Sequence, residues 1–420
     1  MKKKVIVIGG GFAGVQLVKN LDKKIFEILL LDRLNHHQFQ PLFYQVATSQ
    51  IEPSSISFPL RYIFNKTNST QIRLAEVKSI NSAEHKVETN IGSFHYDYLI
   101  IASGCKTNFF NNLSIEKNAF TLKTTYDAIE IRNHIITVFE KILNASPEEK
   151  EYLLNLVIVG AGPTGVELAG AFAEIKKEVL PKDYPGIDFS KFEIYLIEGN
   201  KNILNNMSNA AKMASYYYLQ KLGVKIKTET YVKSYDGKFA ILSNSETIPS
   251  STVIWAAGVI GNKIDGMPNS CWVANNRVIV SRYNQVKGFE NIYAVGDIAY
   301  METPKYPKGH PQVANVAINQ AILLTKNLAR KESGKQLMEY EYKDLGTMAT
   351  IGRNKAVVDL PFIKFKGYFA WVVWMFLHLM LILSVRNKLI IFINWAWSYV
   401  TKNSSLRLIL RSDKQNDLNK

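Results

Sequence analysis

The sequence has 420 residues, more than one hydrophobic core usually organises, so two or three structural units are expected and a single small module is excluded. Hydrophobic residues make up 47% and charged residues 21%, which leaves no room for a disordered or low-complexity majority. The 51 Lys and Arg against 36 Asp and Glu give a net charge of +15, a surplus that favours an anionic partner: a membrane surface, nucleic acid or a phosphorylated cofactor.

The start, Met1-Lys2-Lys3-Lys4 running into Val5-Ile6-Val7-Ile8 and glycine, is too short an apolar stretch for a signal-peptide core, which predicts a mature, cytoplasmic amino terminus. Two cysteines, Cys105 and Cys271, lie far apart and in no CxxC pair. A disulfide framework, an iron–sulfur cluster and a thiol-relay motif are therefore unsupported, and a reducing compartment is expected.

In chain order the first pattern is a β-branched run at 4–8, the turn Gly9-Gly10-Gly11-Phe12-Ala13-Gly14, a small-residue helix to about Asn20, and an apolar strand at 28–31 ending in Asp32. It returns at 156–159 with Gly160-Ala161-Gly162-Pro163-Thr164-Gly165, a helix to about Lys177, and a strand at 193–197 ending in Glu198. Each G-x-G-x-x-G sits where a strand passes into a helix. The first glycine (Gly9, Gly160) permits the tight turn, the second (Gly11, Gly162) lets backbone approach a pyrophosphate, and the third (Gly14, Gly165) allows close helix–strand packing. Unpaired helix N–H groups then face the anion, and the strand-end acid accepts hydrogen bonds from a ribose. From last glycine to acid the spacing is 18 residues in the first copy and 33 in the second, so the second crossover holds an insertion, expected as a loop at 182–186. One such turn could also be a plain α/β connection. Two, with both acids in place, predict two nucleotide sites, and FAD with a nicotinamide nucleotide is the natural pair for electron transfer.

Farther on, a strand at 277–280, the segment Ile292-Tyr293-Ala294-Val295-Gly296-Asp297 and a helix at 311–330 return to a nucleotide fold. A strand ending in Gly-Asp ahead of a helix reads equally as an N-cap turn. Residues 367–385 form a run of 19 without Asp, Glu, Lys or Arg, bracketed by Lys366 and Arg386 and long enough for a membrane span. A second apolar run at 389–400 carries Trp395, Trp397 and Tyr399 and precedes Lys402, Arg407 and Arg411, as interfacial anchors require. Residues 353–420 hold 11 Lys and Arg against 3 Asp and Glu, so over half of the net charge gathers at the lipid-seeking end. Each basic residue near an anionic leaflet contributes about 1 kcal/mol. An anionic membrane surface is thus favoured over nucleic acid, and a monotopic anchor over a true span or a buried core or dimer helix. The seven histidines form no HxxxH or HExxH pair and have no cysteine companions, so no metal site is expected. His36 and His37 read as solvated loop residues.

Together these residues resemble the two-dinucleotide-fold flavoprotein reductases, α/β proteins with two Rossmann-like, glutathione-reductase-like domains. Asp297 matches that group's acid at the flavin ribityl and phosphate region. Ala102-Ser103-Gly104 and Ala256-Ala257-Gly258, each following an apolar strand (98–101 and 252–255), match its strand-end turns. Three further stretches resemble the type II NADH dehydrogenases, single-chain NADH:quinone oxidoreductases that pump no protons. They are Phe39-Gln40-Pro41-Leu42-Phe43-Tyr44-Gln45-Val46-Ala47-Thr48, Gly162-Pro163-Thr164-Gly165-Val166-Glu167-Leu168-Ala169-Gly170 and Gly346-Thr347-Met348-Ala349-Thr350-Ile351-Gly352-Arg353. The resemblance spans nearly the whole chain.

The resemblance implies FAD as cofactor, NADH as substrate and a membrane quinone as acceptor, in a homodimer held peripherally on the cytoplasmic face of the inner membrane. It divides the chain into an FAD-binding domain at 1–115 and 271–340, an NADH-binding domain at 116–270, and a carboxy-terminal membrane-anchoring helical region at 341–420. Hydride transfer depends on positioning, so no catalytic triad is expected, and the positive end of helix 311–330 would face the flavin pyrimidine ring. Glu167 matches an acid close to the nicotinamide and reads equally as a first-turn acid favoured by the helix dipole. Glu198 favours NADH, because a carboxylate repels a 2′-phosphate, with Lys201 nearby as a counterweight. The implied quinone site takes Tyr44, Asn315, Asn319 and Lys366. Relatives usually carry glutamine where Asn315 and Asn319 stand, and asparagine has a shorter reach. Lys366 is, with Glu167, a candidate for the chemistry, and reads equally as a solvated cation at a lipid interface. A sulfide:quinone oxidoreductase is the alternative enzyme but needs a reactive cysteine pair at the flavin, where neither Cys105 nor Cys271 is expected. An NADH-binding redox sensor is the alternative of another class.

Overall fold

The computed structural model describes residues 1–65, 70–403 and 406–410, so the basic flank at Arg411 lies outside the described residues. The chain divides into two compact units: Met1–Gln38 with Phe58–Lys106 and Val259–Asp344, and Phe39–Ser57 with Thr107–Gly258 and Leu345–Lys420.

In the first unit, five parallel strands run in the order Ile292–Ala294, Tyr98–Ile101, Lys3–Ile8, Phe26–Asp32, Thr70–Leu74. Both faces are covered, which is why the first strand reads as a continuous β-branched run rather than an alternating one. Val5, Val7, Ile28, Leu30 and Ile100 pack with Leu17, Val18, Ala321, Leu324 and Leu328 of the helices Phe12–Asn20 and Ala314–Glu332. Ile6, Ile8, Leu99 and Ile101 pack on the other side with Val278, Ile298 and Met301. Burying one such leucine contributes about 2 kcal/mol. The last helix begins at Ala314, later than the predicted 311, because Val313 stays extended at φ −134° and Gln312 turns its side chain back to donate to the Asp297 carbonyl at 3.0 Å. The strand predicted at 277–280 shortens to Val278–Ile279.

The second unit repeats the topology: Phe120–Thr121, Thr252–Trp255, Asn155–Val159, Glu193–Ile197, Val224–Lys227, all parallel. The insertion before Glu198 is partly helical, with Leu180–Asp183 and a 3-10 turn at Phe189–Lys191. Phe189 and Phe192 hold it against Phe139, with ring centroids 5.6 and 5.3 Å apart. Leu345–Lys420 belongs to this unit rather than forming a body of its own. Its antiparallel sheet, Thr347–Thr350, Ala356–Asp359 and Lys364–Gly367, packs on the helix Pro163–Glu178. The approach is so close that a Cβ on Gly170 would stand 2.8 Å from the Gly352 nitrogen.

The apolar run at 367–385 is divided: the helix Tyr368–Leu381 ends where Ile382 turns extended and buries its side chain, and Val385–Thr401 follows as a second helix. Fourteen residues rise about 21 Å, short of the roughly 30 Å hydrocarbon core. Among the described residues no helix is long and apolar enough to cross a membrane.

Candidate functional site

The first glycine turn is built as strand, turn and helix require. Gly9 has φ +103°, and a Cβ there would meet the Ala102 carbonyl oxygen at 2.4 Å. A Cβ on Gly14 would stand 1.8 Å from the Gly9 carbonyl oxygen, whereas one on Gly11 would meet nothing within 4 Å. Protein packing thus demands glycine at the first and third positions but not at the second. The opening beside Gly11 is what a pyrophosphate needs. Asp32, at the end of its strand, accepts from the Gly10 N–H at 2.5 Å and the Leu34 N–H at 2.6 Å. Burial raises its pKa, and those two N–H groups oppose the rise.

A cavity of about 330 Å³ opens at this strand end, lined by Gly9, Asp32, Arg33, Ser103, Lys106 and Lys263 among others. Its wall is closed by Ser103 Oγ donating to the Asn262 carbonyl at 3.0 Å and Asn262 Nδ2 donating to the Ser103 carbonyl at 2.8 Å. A carboxylate for a ribose, cations for phosphates and an open second glycine fit an adenine dinucleotide. Asn262, Lys106 and Lys263 were invisible to the motif reading, since no local pattern ties them to Gly9. Gly104, at φ +66°, follows Ser103 on the same rim.

Gly296, Asp297 and the helix Ala314–Glu332 meet in the same unit. Gln320 Oε1 accepts from the Gly296 N–H at 2.8 Å, and the other end of that amide, Nε2, is buried without a partner. Cys105 Sγ donates to Asp297 Oδ2 at 3.1 Å. Cys271 is buried elsewhere, and its thiol contacts the Lys287 carbonyl at 3.5 Å. Neither cysteine is in a disulfide among the described residues, and their different partners give no sign of the reactive pair a sulfide enzyme needs. His37 departs from the reading as a solvated residue: it is 2% exposed, its Nδ1 lies 3.0 Å from the Gly10 carbonyl, and Phe12 packs edge-on to its ring at 5.1 Å. Burial pushes its pKa down to about 4, so the ring is neutral and serves to brace the glycine turn.

The second turn repeats the first. Gly160 has φ +99° against the Ala257 backbone, a Cβ on Gly165 would stand 1.9 Å from the Gly160 carbonyl oxygen, and one on Gly162 would meet nothing within 4 Å. Glu198 accepts from the Ala161 N–H at 2.7 Å and the Asn200 N–H at 2.8 Å, so both copies tie the strand-end acid to the glycine loop. Gly258 takes φ +73° after the strand Thr252–Trp255, with Phe110 against its α-carbon.

Glu167 is not a dipole-stabilised surface carboxylate. It is 7% exposed, accepts from the Thr350 N–H at 3.3 Å, and burial drives its pKa up to about 8, with the Thr350 N–H and the nearby Trp374 indole opposing. It is therefore largely protonated at neutral pH. Tyr44 and Glu167 line one cavity of about 60 Å³ together with Glu174, Arg353, Trp374 and Trp395. Gln45 links the wall: its Nε2 donates to the Tyr44 hydroxyl at 3.0 Å and its Oε1 accepts from Trp395 Nε1 at 2.8 Å. Lys366 is not part of this wall; it stands exposed on the strand Lys364–Gly367. Asn315 and Asn319 lie in the first unit, half-buried and one turn apart on the helix Ala314–Glu332.

The tandem nucleotide folds and their glycine turns define a pyridine-nucleotide flavoprotein reductase. Residues 3–321 match the family described as pyridine nucleotide-disulphide oxidoreductase, and residues 345–402 match the NDH2 C-terminal domain. The chain is 31% identical to the type II NADH:quinone oxidoreductase Ndh of Mycobacterium tuberculosis, covering 95% of this chain and 89% of that protein. It is 28% identical to the type II NADH:quinone oxidoreductase of Staphylococcus aureus, over 85% of this chain and 89% of that protein. This chain belongs to the type II NADH:quinone oxidoreductase family. Among solved structures, NDH2 from Plasmodium falciparum in complex with NADH superposes with a TM-score of 0.90 at 23% identity, covering 98% of this chain and 100% of that one. The sulfide:quinone oxidoreductase of Aquifex aeolicus superposes with a TM-score of 0.73 at 22% identity, over 96% of each chain, which speaks for a shared fold alone.

Proposed function

We propose that this chain oxidises NADH and passes the electrons through FAD to a membrane quinone, as a homodimer lying peripherally on the cytoplasmic face of the inner membrane. The observation that carries the reading is the pair of glycine turns, each open at its second glycine and each tied to a strand-end acid, in a chain that matches type II enzymes over 95% of its length.

FAD, when bound, would supply the two-electron redox chemistry between nicotinamide and quinone. The chain's own residues bind and orient. Gly9, Gly11, Gly14 and Asp32, with Ala102, Gly104, Gly296 and Asp297, would hold the FAD. Gly160, Gly162, Gly165 and Glu198, with Ala257 and Gly258, would hold NADH. The helix Ala314–Glu332 has no side-chain cap, so its first N–H groups are left for an electron-rich ligand edge. Glu167 would hold a proton close to the nicotinamide without adding charge there. Tyr44, Asn315, Asn319 and Lys366 stand as the quinone contacts. By function the chain would divide into FAD-binding segments at 1–115 and 271–340, an NADH-binding segment at 116–270 and an anchoring segment at 341–420, bounds that differ from those of the two compact units.

In stopped flow, NADH should bleach the flavin absorbance and added quinone should restore it. Recovery with oxygen alone would favour a sensor or an oxidase. NADPH should bleach at least tenfold more slowly, about 1.4 kcal/mol of discrimination, since Glu198 repels the 2′-phosphate. Equal rates with the two nucleotides would remove that role from Glu198.

The membrane reading rests on the helix Val385–Thr401, which turns Asn387, Ile391 and Trp395 inward while Leu389, Ile393, Trp397 and Val400 are 57%, 61%, 64% and 81% exposed. Asn387 Nδ2 donates to the Ser54 and Ser55 carbonyls at 3.1 and 2.9 Å, fixing which face looks out. An apolar face of this extent with basic flanks suits an anionic bilayer surface. The protein should sediment with anionic vesicles and be released by high salt or carbonate, and Ile393→Glu with Trp397→Glu should weaken binding at least tenfold, through lost apolar contact and added charge. Resistance to both washes would overturn the peripheral assignment.

A further inference from the structure

We propose that Glu174 loads the proton that quinone reduction consumes and passes it by way of Tyr44 to Glu167, through the cavity these three side chains line. The inference rests on the activity proposed above. That reaction, NADH + H⁺ + quinone → NAD⁺ + quinol, moves two electrons and one hydrogen nucleus from NADH as hydride. The quinone takes both electrons and two protons, so one proton must come from water at each turnover. The cavity that Trp374 and Trp395 help to line offers a route for it.

The route is laid out on one helix. Glu167, Glu174 and Glu178 stand seven and four residues apart on Pro163–Glu178, hence on one face. Exposure rises along the row: Glu167 is 7% exposed overall, and the side chains of Glu174 and Glu178 are 18% and 29% exposed. Glu167 and Glu174 share the cavity of about 60 Å³, room for a few water molecules. Glu174 and Glu178 share the adjoining one of about 50 Å³. Glu174 is the carboxylate common to both. Tyr44 is buried beside Glu167 and Glu174, both of which act on its ionisation. Because its oxygen accepts from Gln45, its own hydrogen is left to donate elsewhere, and the carboxylates are the acceptors at hand.

The charges around Glu174 allow it to exchange protons. Arg353 donates its backbone N–H to Glu174 and places its guanidinium 4.0 Å away, and Lys355 adds a weaker positive field. Burial and the Glu178 charge push the other way and prevail, so the carboxyl is held above its ordinary range. Glu178 is itself paired with Lys402 at 3.7 Å, at the wet end of the row.

A structural role for Glu174, anchoring the turn at Arg353, is separable from a relay, because glutamine still accepts the Arg353 N–H but cannot carry a proton. The test uses the full-length FAD-loaded protein, without NADH or quinone. After mixing into D₂O, deuterium uptake by the Glu167 carboxyl is followed by its infrared band, assigned by its loss in Glu167→Gln. Glu174→Gln and Tyr44→Phe should slow uptake about tenfold or more, within the range a placed proton-transfer group contributes, and Glu174→Asp should recover much of the rate. In turnover, Glu174→Gln should slow flavin reoxidation by quinone and enlarge its solvent isotope effect. Uptake as fast as in the unsubstituted protein, in both Glu174→Gln and Tyr44→Phe, would overturn the relay even if turnover falls. If Glu174→Gln fails to fold, Tyr44→Phe and Glu174→Asp decide by the same measurement. Failure of NADH to bleach the unsubstituted protein would sink the activity instead, leaving the exchange result to stand by itself.

Discussion

Gly11→Val is expected to give a folded, colourless protein, and Gly14→Ala a protein that does not fold. The two glycines sit three residues apart in one motif, yet the space around them differs. A Cβ on Gly14 would overlap the Gly9 carbonyl oxygen at 1.8 Å, and both groups are backbone, so no rotamer change relieves it. The helix would have to back away from a strand whose neighbours Val7, Leu17 and Val18 are fully buried. A cost above about 3 kcal/mol follows, a large share of the roughly 5–15 kcal/mol that holds a domain folded. At Gly11 the backbone is extended, φ −72° and ψ −163°, which valine adopts readily, and nothing lies within 4 Å of a new Cβ. The added side chain fills only the approach to the pyrophosphate. FAD affinity should fall at least a hundredfold, about 3 kcal/mol, with the far-ultraviolet circular dichroism unchanged. A yellow Gly11→Val protein would remove the pyrophosphate from this turn. The second copy gives the matching pair, Gly162→Val losing NADH and Gly165→Ala losing the fold.

That contrast also marks what the amino-acid sequence discloses. The glycine turns, the strands beside them and the acids at 32 and 198 are local, and their spacing alone predicts their geometry. The cavity around Glu167 is not local. Thr350 reaches Glu167 across 183 positions and Trp395 reaches Gln45 across 350, and no periodicity ties such partners together. Trp374 lies within an apolar run whose neighbouring residue types nearly all suit a lipid face, so composition could not mark it as the one that turns inward with Ala370. His37 departs from its local sequence context for a related reason. Beside His36 it looks like a polar loop, but the Gly10 carbonyl and Phe12 that enclose it lie more than twenty residues away along the chain. The break at 382–384 left one trace, Ser384, while the other polar interruption, His378, stays within the first helix. Composition gave the length of that stretch and could not show that its helix stops at Leu381, with the next beginning only at Val385.

The Glu167 contribution to stability should fall as pH rises from about 5 to 8, and Glu167→Gln should remove it, read as the difference between the two proteins. The folded state holds the Glu167 carboxyl at about 8, above its ordinary 4.5. Between those values the native protein keeps a proton that the unfolded chain has released. Fewer protons bound in the unfolded state means that raising the pH favours unfolding, by 1.36 kcal/mol per unit for one group. Below the unfolded value both states are protonated and the group contributes no slope; above about 8 the full penalty of a buried carboxylate applies. At pH 7 the burden is about 3 kcal/mol. Glutamine keeps the acceptor for the Thr350 N–H and sheds the ionisation, so the variant should be the more stable protein at pH 7 and nearly equal to the parent at pH 4.5. Urea midpoints across this range, with FAD held saturating, measure the difference. Should the two proteins show parallel pH profiles, Glu167 is ionised in the fold. The neutral carboxyl proposed for the nicotinamide site would then give way to a charged one, and a proton could not rest there between turnovers. Gain of stability with loss of turnover in Glu167→Gln would instead fit a group kept buried for its chemistry, since burial is what raises its pKa to where a proton can be both held and given up near neutral pH.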